Sequence, residues 1–426
     1  MYENDLEATA PRPPSDHRLL HLLALNPTDS VTEGYLPAAA RLGLTVTVLT
    51  DQPDAHERAL ARYAADGGTL PELTVTPCAV RDFREVVSHL AALPRRPGAV
   101  FSNSDHLQVQ AALAADFLGL PGKDWRAALR TRDKAELRRA LAAAGLDTVR
   151  SAELPAGRDP AVLLAARPPL PMPCVVKPRE GVASEDVFLA ADTAELLARC
   201  REIQRRRPGE ALVVEEFLDG PVRTLETLGD GRVLHPFAAF RTDISPPPHF
   251  IEERLVLLPE PPRPHTTQVL AQLRALGVGL GACHTEYVAQ GDRARLIEVN
   301  YRSIGDQCDL VLAELLGIPL FEHVLRAHLG LPLPARLGAR TDARARLEYI
   351  VADRPGRLVS APAASVRETD GVRLDYRPLR ETGTERPLHR TNRDFLGVLR
   401  ATGTDQHRID RVVAEFLAVN RWEIAP

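Results

Sequence analysis

Cysteine is sparse and dispersed: five residues (Cys78, Cys174, Cys200, Cys283, Cys308) in 426, with no C-x-x-C pair. An odd, scattered set excludes a disulfide framework and offers no structural zinc spacing, so buried thiols in a reducing compartment are the expectation. No run approaches the roughly 18 apolar residues that a membrane helix needs. Residues 1–17 are acidic and proline-bearing, unlike the basic and then apolar start of a secretory leader, and read as a disordered tail; a cytoplasmic location follows as an expectation. A basic excess is also missing. The 53 Lys and Arg stand against 57 Asp and Glu, a net charge of -4, which argues against nucleic acid or an acidic membrane surface as partner. The local run Arg205-Arg206-Arg207 reads as a solvated helix end. No internal repeat is visible.

What is present is the balance of a soluble globular protein, 44% hydrophobic and 26% charged, at a length that implies two to four packed units. Ordered structure is expected from Arg18. An apolar run over 19–25, a turn at Asn26-Pro27-Thr28-Asp29, a helix over 34–42 and a strand over 44–49 make a βαβ unit; 99–101 ends a further strand. An open parallel sheet is therefore predicted for 18–125. Ligands gather at the carboxyl ends of such strands, which makes 26–30 and 102–106 candidates for substrate contact or, equally, simple helix caps. Further on, a helix is expected over 131–144, a strand over 174–177, a helix over 192–206 and a strand over 211–215. The proline-dense stretch 241–264 reads as a long functional loop. A helix over 265–276, a hairpin of strands 283–289 and 295–299 around Gly291-Asp292, and helices within 309–329 follow. Residues 336–426 form a smaller α+β unit.

Four features carry chemistry. Glu298 and Asn300 are two apart on one predicted strand and share a face, and Glu286 on the preceding strand can join them. Two carboxylates and an amide oxygen are hard donors suited to Mg²⁺, although a polar sheet face would look the same. Arg302, two residues beyond, can neutralise charge on a transferring phosphoryl group. Lys177 leaves an apolar strand beside Gly181 and Ser184, placed to reach a phosphate, and Lys134 precedes it. Lastly, the strand ending in Glu215-Glu216-Phe217-Leu218-Asp219-Gly220 suits an adenine pocket.

In this order the motifs resemble the ATP-grasp superfamily over about residues 18–330: Asp133-Lys134, Val175–Pro178, Glu215–Gly220, His284-Thr285-Glu286 and Ile297–Arg302. The resemblance implies a mixed α/β and α+β fold. It has an N-terminal pre-ATP-grasp parallel-sheet domain (18–125), a two-lobed nucleotide-binding region (126–335, small lobe about 150–215) and the C-terminal α+β unit (336–426). It further implies ATP and Mg²⁺ as cofactors, with Mn²⁺ as a substitute. Lys134, Lys177, Ser184, Glu215, Glu216, Phe217 and Leu218 would hold the nucleotide, Glu286, Glu298 and Asn300 the metal, and Arg302 and Lys177 would act catalytically. Many relatives place a ribose-binding glutamate where this chain has Val222, so Glu226 is the substitute candidate. The segment after Arg302, Ser303-Ile304-Gly305-Asp306-Gln307, departs from the usual glycine-rich ending.

Among such enzymes the chain looks like a carboxylate–amine ligase that passes through an acyl phosphate, in siderophore or peptide-like metabolite assembly. Small-molecule carboxylate and amine partners, and a homodimer, are implied. Arg241, His284 and Asp306 are the substrate-side candidates, with His284 reading equally as a strand histidine satisfied by hydrogen bonds. A carboxylase, a thiol- or hydroxyl-acylating ligase, or a non-catalytic ATP-binding protein are the alternatives.

Overall fold

A computed structural model of the chain describes residues 15–146, 149–166, 168–258 and 262–426. Two compact units emerge: residues up to Trp125 with Phe321–Leu333, and Arg126–Leu320 with Pro334–Pro426. In the first, the uninterrupted apolar run beside Arg18 builds β1 (Ser15–Leu23), flanked by β2 (Thr45–Thr50), β3 (Leu73–Pro77) and β4 (Arg96–Phe101) in the order β3-β2-β1-β4. β2 and β4 each pair in parallel with β1, and β3 pairs in parallel with β2. Leu23, Leu49, Val86, Leu90 and Val100 close the core. The strand begins at Ser15, three residues ahead of the predicted start; the rest of the expected tail, 1–14, lies outside the described residues. The helix expected over 34–42 starts earlier, as a π-helical turn Ser30–Tyr35 running into Leu36–Arg41.

The second unit holds two antiparallel sheets and a small third one. β5 (Ser151–Leu154), β6 (Cys174–Pro178), β7 (Phe188–Ala190) and β8 (Leu212–Glu216) form one, ordered β5-β8-β6-β7. The helix Thr193–Arg206, capped by Asp192, packs Leu196, Cys200 and Ile203 onto Cys174, Val176 and Val214 of that sheet. The larger sheet joins β9 (Val222–Asp230), β10 (Leu234–Ala238), β11 (Phe240–Ile244), β12 (Glu252–Leu257), β13 (Leu280–Gln290), β14 (Arg293–Asn300) and β15 (Arg344–Val351) to strands from further along the chain. β16 (Gly356–Ser360), β19 (Glu385–Arg386) and β21 (Glu423–Ala425) make the small sheet, whereas β17 (Ser365–Thr369), β18 (Val372–Pro378) and β20 (Phe395–Gly403) complete the large one. Its order is β14-β13-β9-β11-β12-β15-β20-β18-β17, with β10 on β9. β15, β20, β18 and β17 thus continue the large sheet through the β12–β15 pair.

Two expectations are corrected here. The stretch 241–264 is no long loop: β11 and β12 pair across a short connection, and a helix begins at Arg263. Pro246, Pro247 and Pro248 fall in the turn, where no ladder hydrogen bond is lost, and the aliphatic run ending at Leu257 supplies the strand; Pro261 lies outside the described residues. The helix over 131–144 is two, Trp125–Arg132 and Lys134–Ala143, because the Asp133 carboxylate accepts the N–H groups of Ala135 and Glu136 and starts the second. All five cysteines are free thiols, four of them buried. Among the described residues no helix is long and apolar enough to cross a membrane.

β9 passes so close to the turn before β13 that a side chain at Gly229 would fall on the Gly279 carbonyl oxygen. Gly229→Ala is expected to cost about 3 kcal/mol, the upper end for overpacking against backbone. A denaturant midpoint shifted at unchanged slope would check it; an unshifted midpoint would contradict the close approach.

Candidate active site

The second unit contains a cavity, open to solvent at its mouth, between the two sheets. Its lining changes character along its length. Val175, Val187, Phe217, Leu218, Val222 and Phe250 make an apolar slot, Lys134, Arg138 and Lys177 a cationic stretch, and Glu252, Glu286 and Glu298 an acidic end. Phe217 and Phe250 lie with ring centroids 6.4 Å apart, tilted by 41°.

The cationic stretch is built on one buried carboxylate. Glu215, on β8, accepts from Arg138 Nε at 2.7 Å and Nη2 at 3.0 Å, and meets Lys177 Nζ at 2.8 Å. Val175 pairs with Glu215, so Lys177, two residues along β6, is its diagonal neighbour on the same face. Burial alone would raise the Glu215 carboxyl, but Arg138 and Lys177 outweigh it and hold the group at about 2. Burial, aided by Arg138 and Lys134, lowers the Lys177 ammonium below its ordinary range against the pull of Glu215. Arg138 escaped the sequence reading. Its signal was the four-residue step from Lys134 along one helix face.

Lys134 Nζ donates to the Gly181 carbonyl at 2.8 Å and to Glu298 Oε1 at 3.1 Å, joining the cationic stretch to the acidic end. There Glu286 on β13 and Glu298 on β14 are paired directly across the strands, and His284 pairs with Asn300. Like charges so opposed repel. Asn300 Nδ2 stands 3.4 Å from Glu286 Oε1. His284 is buried between two acids, Nδ1 2.8 Å from Glu226 Oε1 and Nε2 3.3 Å from Glu286 Oε1. Burial would lower this imidazole, but Glu226 and Glu286 outweigh it and hold it well above the usual range. Burial likewise opposes ionisation of Glu286, and His284, Arg302 and Lys134 together bring it below its ordinary value. Among the described residues no three His, Cys, Asp or Glu converge as a cage. Two opposed carboxylates and one amide fit a Mg²⁺ ion that takes its other oxygens from phosphates and water.

Several candidates sit apart from the cavity lining. Glu226, buried on β9, accepts from Thr224 Oγ1 at 2.8 Å as well as meeting His284. Arg241 is exposed, 3.4 Å from Asp243, because Thr242 and Ile244 take the alternate positions that line the cavity. Asp306 has a positive φ of 52°, and its carbonyl accepts from Tyr349 Oη at 3.0 Å. Arg302 Nη1 donates to the Ser303 carbonyl at 2.8 Å. Ser184 and Glu216 do line it; Ser184 Oγ donates to the Phe250 carbonyl at 2.8 Å and Glu216 accepts from Arg295 at 2.9 Å. In the first unit, Ser102 and Asn26 accept or donate internal bonds, Ser102 Oγ to the Leu23 carbonyl at 2.8 Å and Gln52 Nε2 to Asn26 Oδ1 at 2.8 Å. Glu252 was missed because its strand was read as loop. Burial first, then Glu286 and Asp306, push its carboxyl up to about 8.

No family model matches the chain, and no curated protein does. Solved structures do. An L-amino acid ligase from Bacillus licheniformis superposes with a TM-score of 0.74 at 22% identity, covering 96% of this chain and 99% of that one. Phosphoribosylglycinamide synthetase from Anaerococcus prevotii gives 0.67 at 15%, covering 96% and 100%. The biotin carboxylase domain of Hydrogenobacter thermophilus 2-oxoglutarate carboxylase, in complex with MgADP, ADP and bicarbonate, gives 0.67 at 14%, covering 96% and 91%. Likeness at such identities speaks for the fold.

Glu215→Gln would leave Arg138 and Lys177 buried without their counter-charge and is expected to cost about 3–5 kcal/mol. The wild-type carboxyl, held at about 2 against 4.5 when unfolded, contributes stability that is present above pH 4.5 and lost as pH falls toward 2. Thermal melts across that range should therefore show an acid-side decline that the variant lacks. Coincident curves would remove the triad from its supporting role.

Proposed function

On the ATP-grasp fold that the chain shares with these ligases, we propose that it is an ATP- and Mg²⁺-dependent carbon–nitrogen ligase that forms ADP. The observation that carries this reading is the single cavity in which an apolar slot, three cations and two opposed carboxylates follow one another. The slot bounded by Phe217, Leu218 and Val222 accepts a flat purine. Lys134, Lys177 and Arg138 neutralise phosphate oxygens beyond it. When bound at Glu286, Glu298 and Asn300, Mg²⁺ supplies charge neutralisation and orientation for phosphoryl transfer.

In the reaction, a carboxylate oxygen of the substrate takes the γ-phosphoryl group of ATP and ADP leaves. The amine nitrogen then adds to the carbonyl of the resulting acyl phosphate, loses a proton, and inorganic phosphate departs as the amide forms. Arg302 is assigned to the carboxylate and the developing carbonyl oxygen. His284 acts through Glu286, fixing its carboxylate from behind while Glu226 fixes the ring. Small-molecule assembly of a siderophore or peptide-like product, in a reducing cytoplasm that keeps the five thiols free and with the enzyme as a homodimer, is the setting we assign.

Screening carboxylate and amine pairs for ADP release, with mass spectrometry of the products, tests the reading. An amide product with one ADP per bond is expected; ATP binding without ADP release from any pair would leave a binding protein instead. Glu298→Gln should lower kcat by roughly two orders of magnitude, the scale for removing one charge-stabilising group. Near-normal turnover would sink the metal assignment.

A further inference from the structure

Five carboxylates line the cavity: Glu215, Glu216, Glu252, Glu286 and Glu298. Four have a cationic partner. Glu215 has Arg138 and Lys177, Glu216 has Arg295, Glu286 has His284 and Glu298 has Lys134. Glu252 stands alone in this. No side chain among the described residues bonds or ion-pairs with its carboxylate; Glu286, Asp306 and Glu298 repel it, and the attraction it feels comes from His284, which is already bonded to Glu226 and Glu286. An inward-facing acid surrounded by acids is unfavourable by itself and becomes favourable when a cation joins it.

Its position is nonetheless fixed. The Glu252 N–H donates to Asn392 Oδ1 at 3.1 Å, at a short helical turn closed by a capping box between Thr391 and Asp394. One residue earlier, Ile251 N–H donates to Ser245 Oγ at 3.0 Å and its carbonyl accepts from Ser245 N at 2.8 Å. The carboxylate therefore projects from a held backbone. β12 is separated from β13 by β11 and β9, so Glu252 reaches the acidic end from a different wall than the metal set. Mg²⁺ is satisfied by one or two carboxylates with phosphates and water, and Glu286 with Glu298 already supplies these.

We propose that Glu252 receives a primary amine substrate as its ammonium ion and holds it against the face of the carboxylate activated beside Glu298 and Arg302. One N–H proton passes to the Glu252 carboxylate, freeing the lone pair that then adds. This rests on the ligase reading above and names one side of its specificity. A cationic nucleophile of the amino-acid or alkylamine class fills the one lining glutamate among the described residues that has no ion pair of its own. A thiol or hydroxyl nucleophile leaves it unmatched.

The experiment compares wild type with Glu252→Gln, which keeps the shape and removes the charge, and Glu252→Asp, which keeps the charge on a shorter arm. The donor is the carboxylate that gives the fastest ADP release in the screen. The nucleophiles are glycine and the L-amino acid panel, which arrive as ammonium ions, and hydroxylamine, which is uncharged at neutral pH. In Glu252→Gln the KM for the amine should rise roughly 10- to 100-fold, the worth of one charge-assisted hydrogen bond. The ratio of hydroxamate to amide formation should rise by the same factor, with partial return in Glu252→Asp. The KM for ATP and the Mg²⁺ concentration for half-maximal rate should stay within about twofold. Equal losses with both nucleophiles, or a shifted Mg²⁺ requirement, would move Glu252 to the phosphate and metal side and overturn the proposal. A wild-type enzyme that releases ADP with thiol or hydroxyl acceptors and no amine overturns it too, while leaving ATP-dependent ligation standing. One that releases ADP with nothing removes both readings.

Discussion

Glu286 and Glu298 face each other across β13 and β14, and two like charges in that register repel. The neighbouring side chains answer that repulsion. His284 stands against Glu286 and Lys134 against Glu298, each a cation drawn from a different element. His284 is in turn held by Glu226, and Glu226 by Thr224, so the polarity needed at the cavity runs two side chains deep into β9. Such a layer tolerates a divalent ion at its surface because the protein has already fixed the orientation of the donors. The opposed pair Glu286 and Glu298 is thus supported by three adjacent strands, β9, β13 and β14, rather than by one motif.

The other end of the same logic lies on the smaller sheet. Glu215 is buried with Arg138 and Lys177, an arrangement whose desolvation cost is offset only while all three are present. Two cations against one carboxylate leave the cluster with a positive balance on the cavity wall. Lys134 stands between the two clusters and contacts both the loop at Gly181 and Glu298. The result is a cavity whose lining combines apolar, cationic and acidic side chains.

Much of this was legible from spacing. The i, i+2 relation of Glu298 and Asn300 and the turn at Gly291-Asp292 gave the hairpin and its polar face, because strand periodicity is local. The parallel sheet of the first unit was equally readable from its apolar runs. Glu226 and His284 were named as ligand contacts, yet the structure puts them against each other; the pairing of β9 with β13 is a long-range register that no local pattern discloses. Arg241 was misplaced by one step of strand alternation. Glu252 was hidden by three prolines, whose density suggested a loop where they occupy only the turn. Arg138 needed knowledge of which helix face turns toward the cavity.

The pairing of β12 with β15 has a consequence for how the protein is made. Arg254 and Glu348 are register partners and bond through 2.6 and 2.9 Å contacts, yet they lie 94 positions apart in the chain. A ribosome adding about 5–20 residues each second leaves β12 with one unpaired edge for several seconds before its neighbour emerges. During that interval the strand bearing Glu252 has only β11 beside it, and the cavity wall it forms is unfinished. Loop closure over such a span is a slow, non-local event, so completion of the cavity wall should be among the last steps the nascent chain takes.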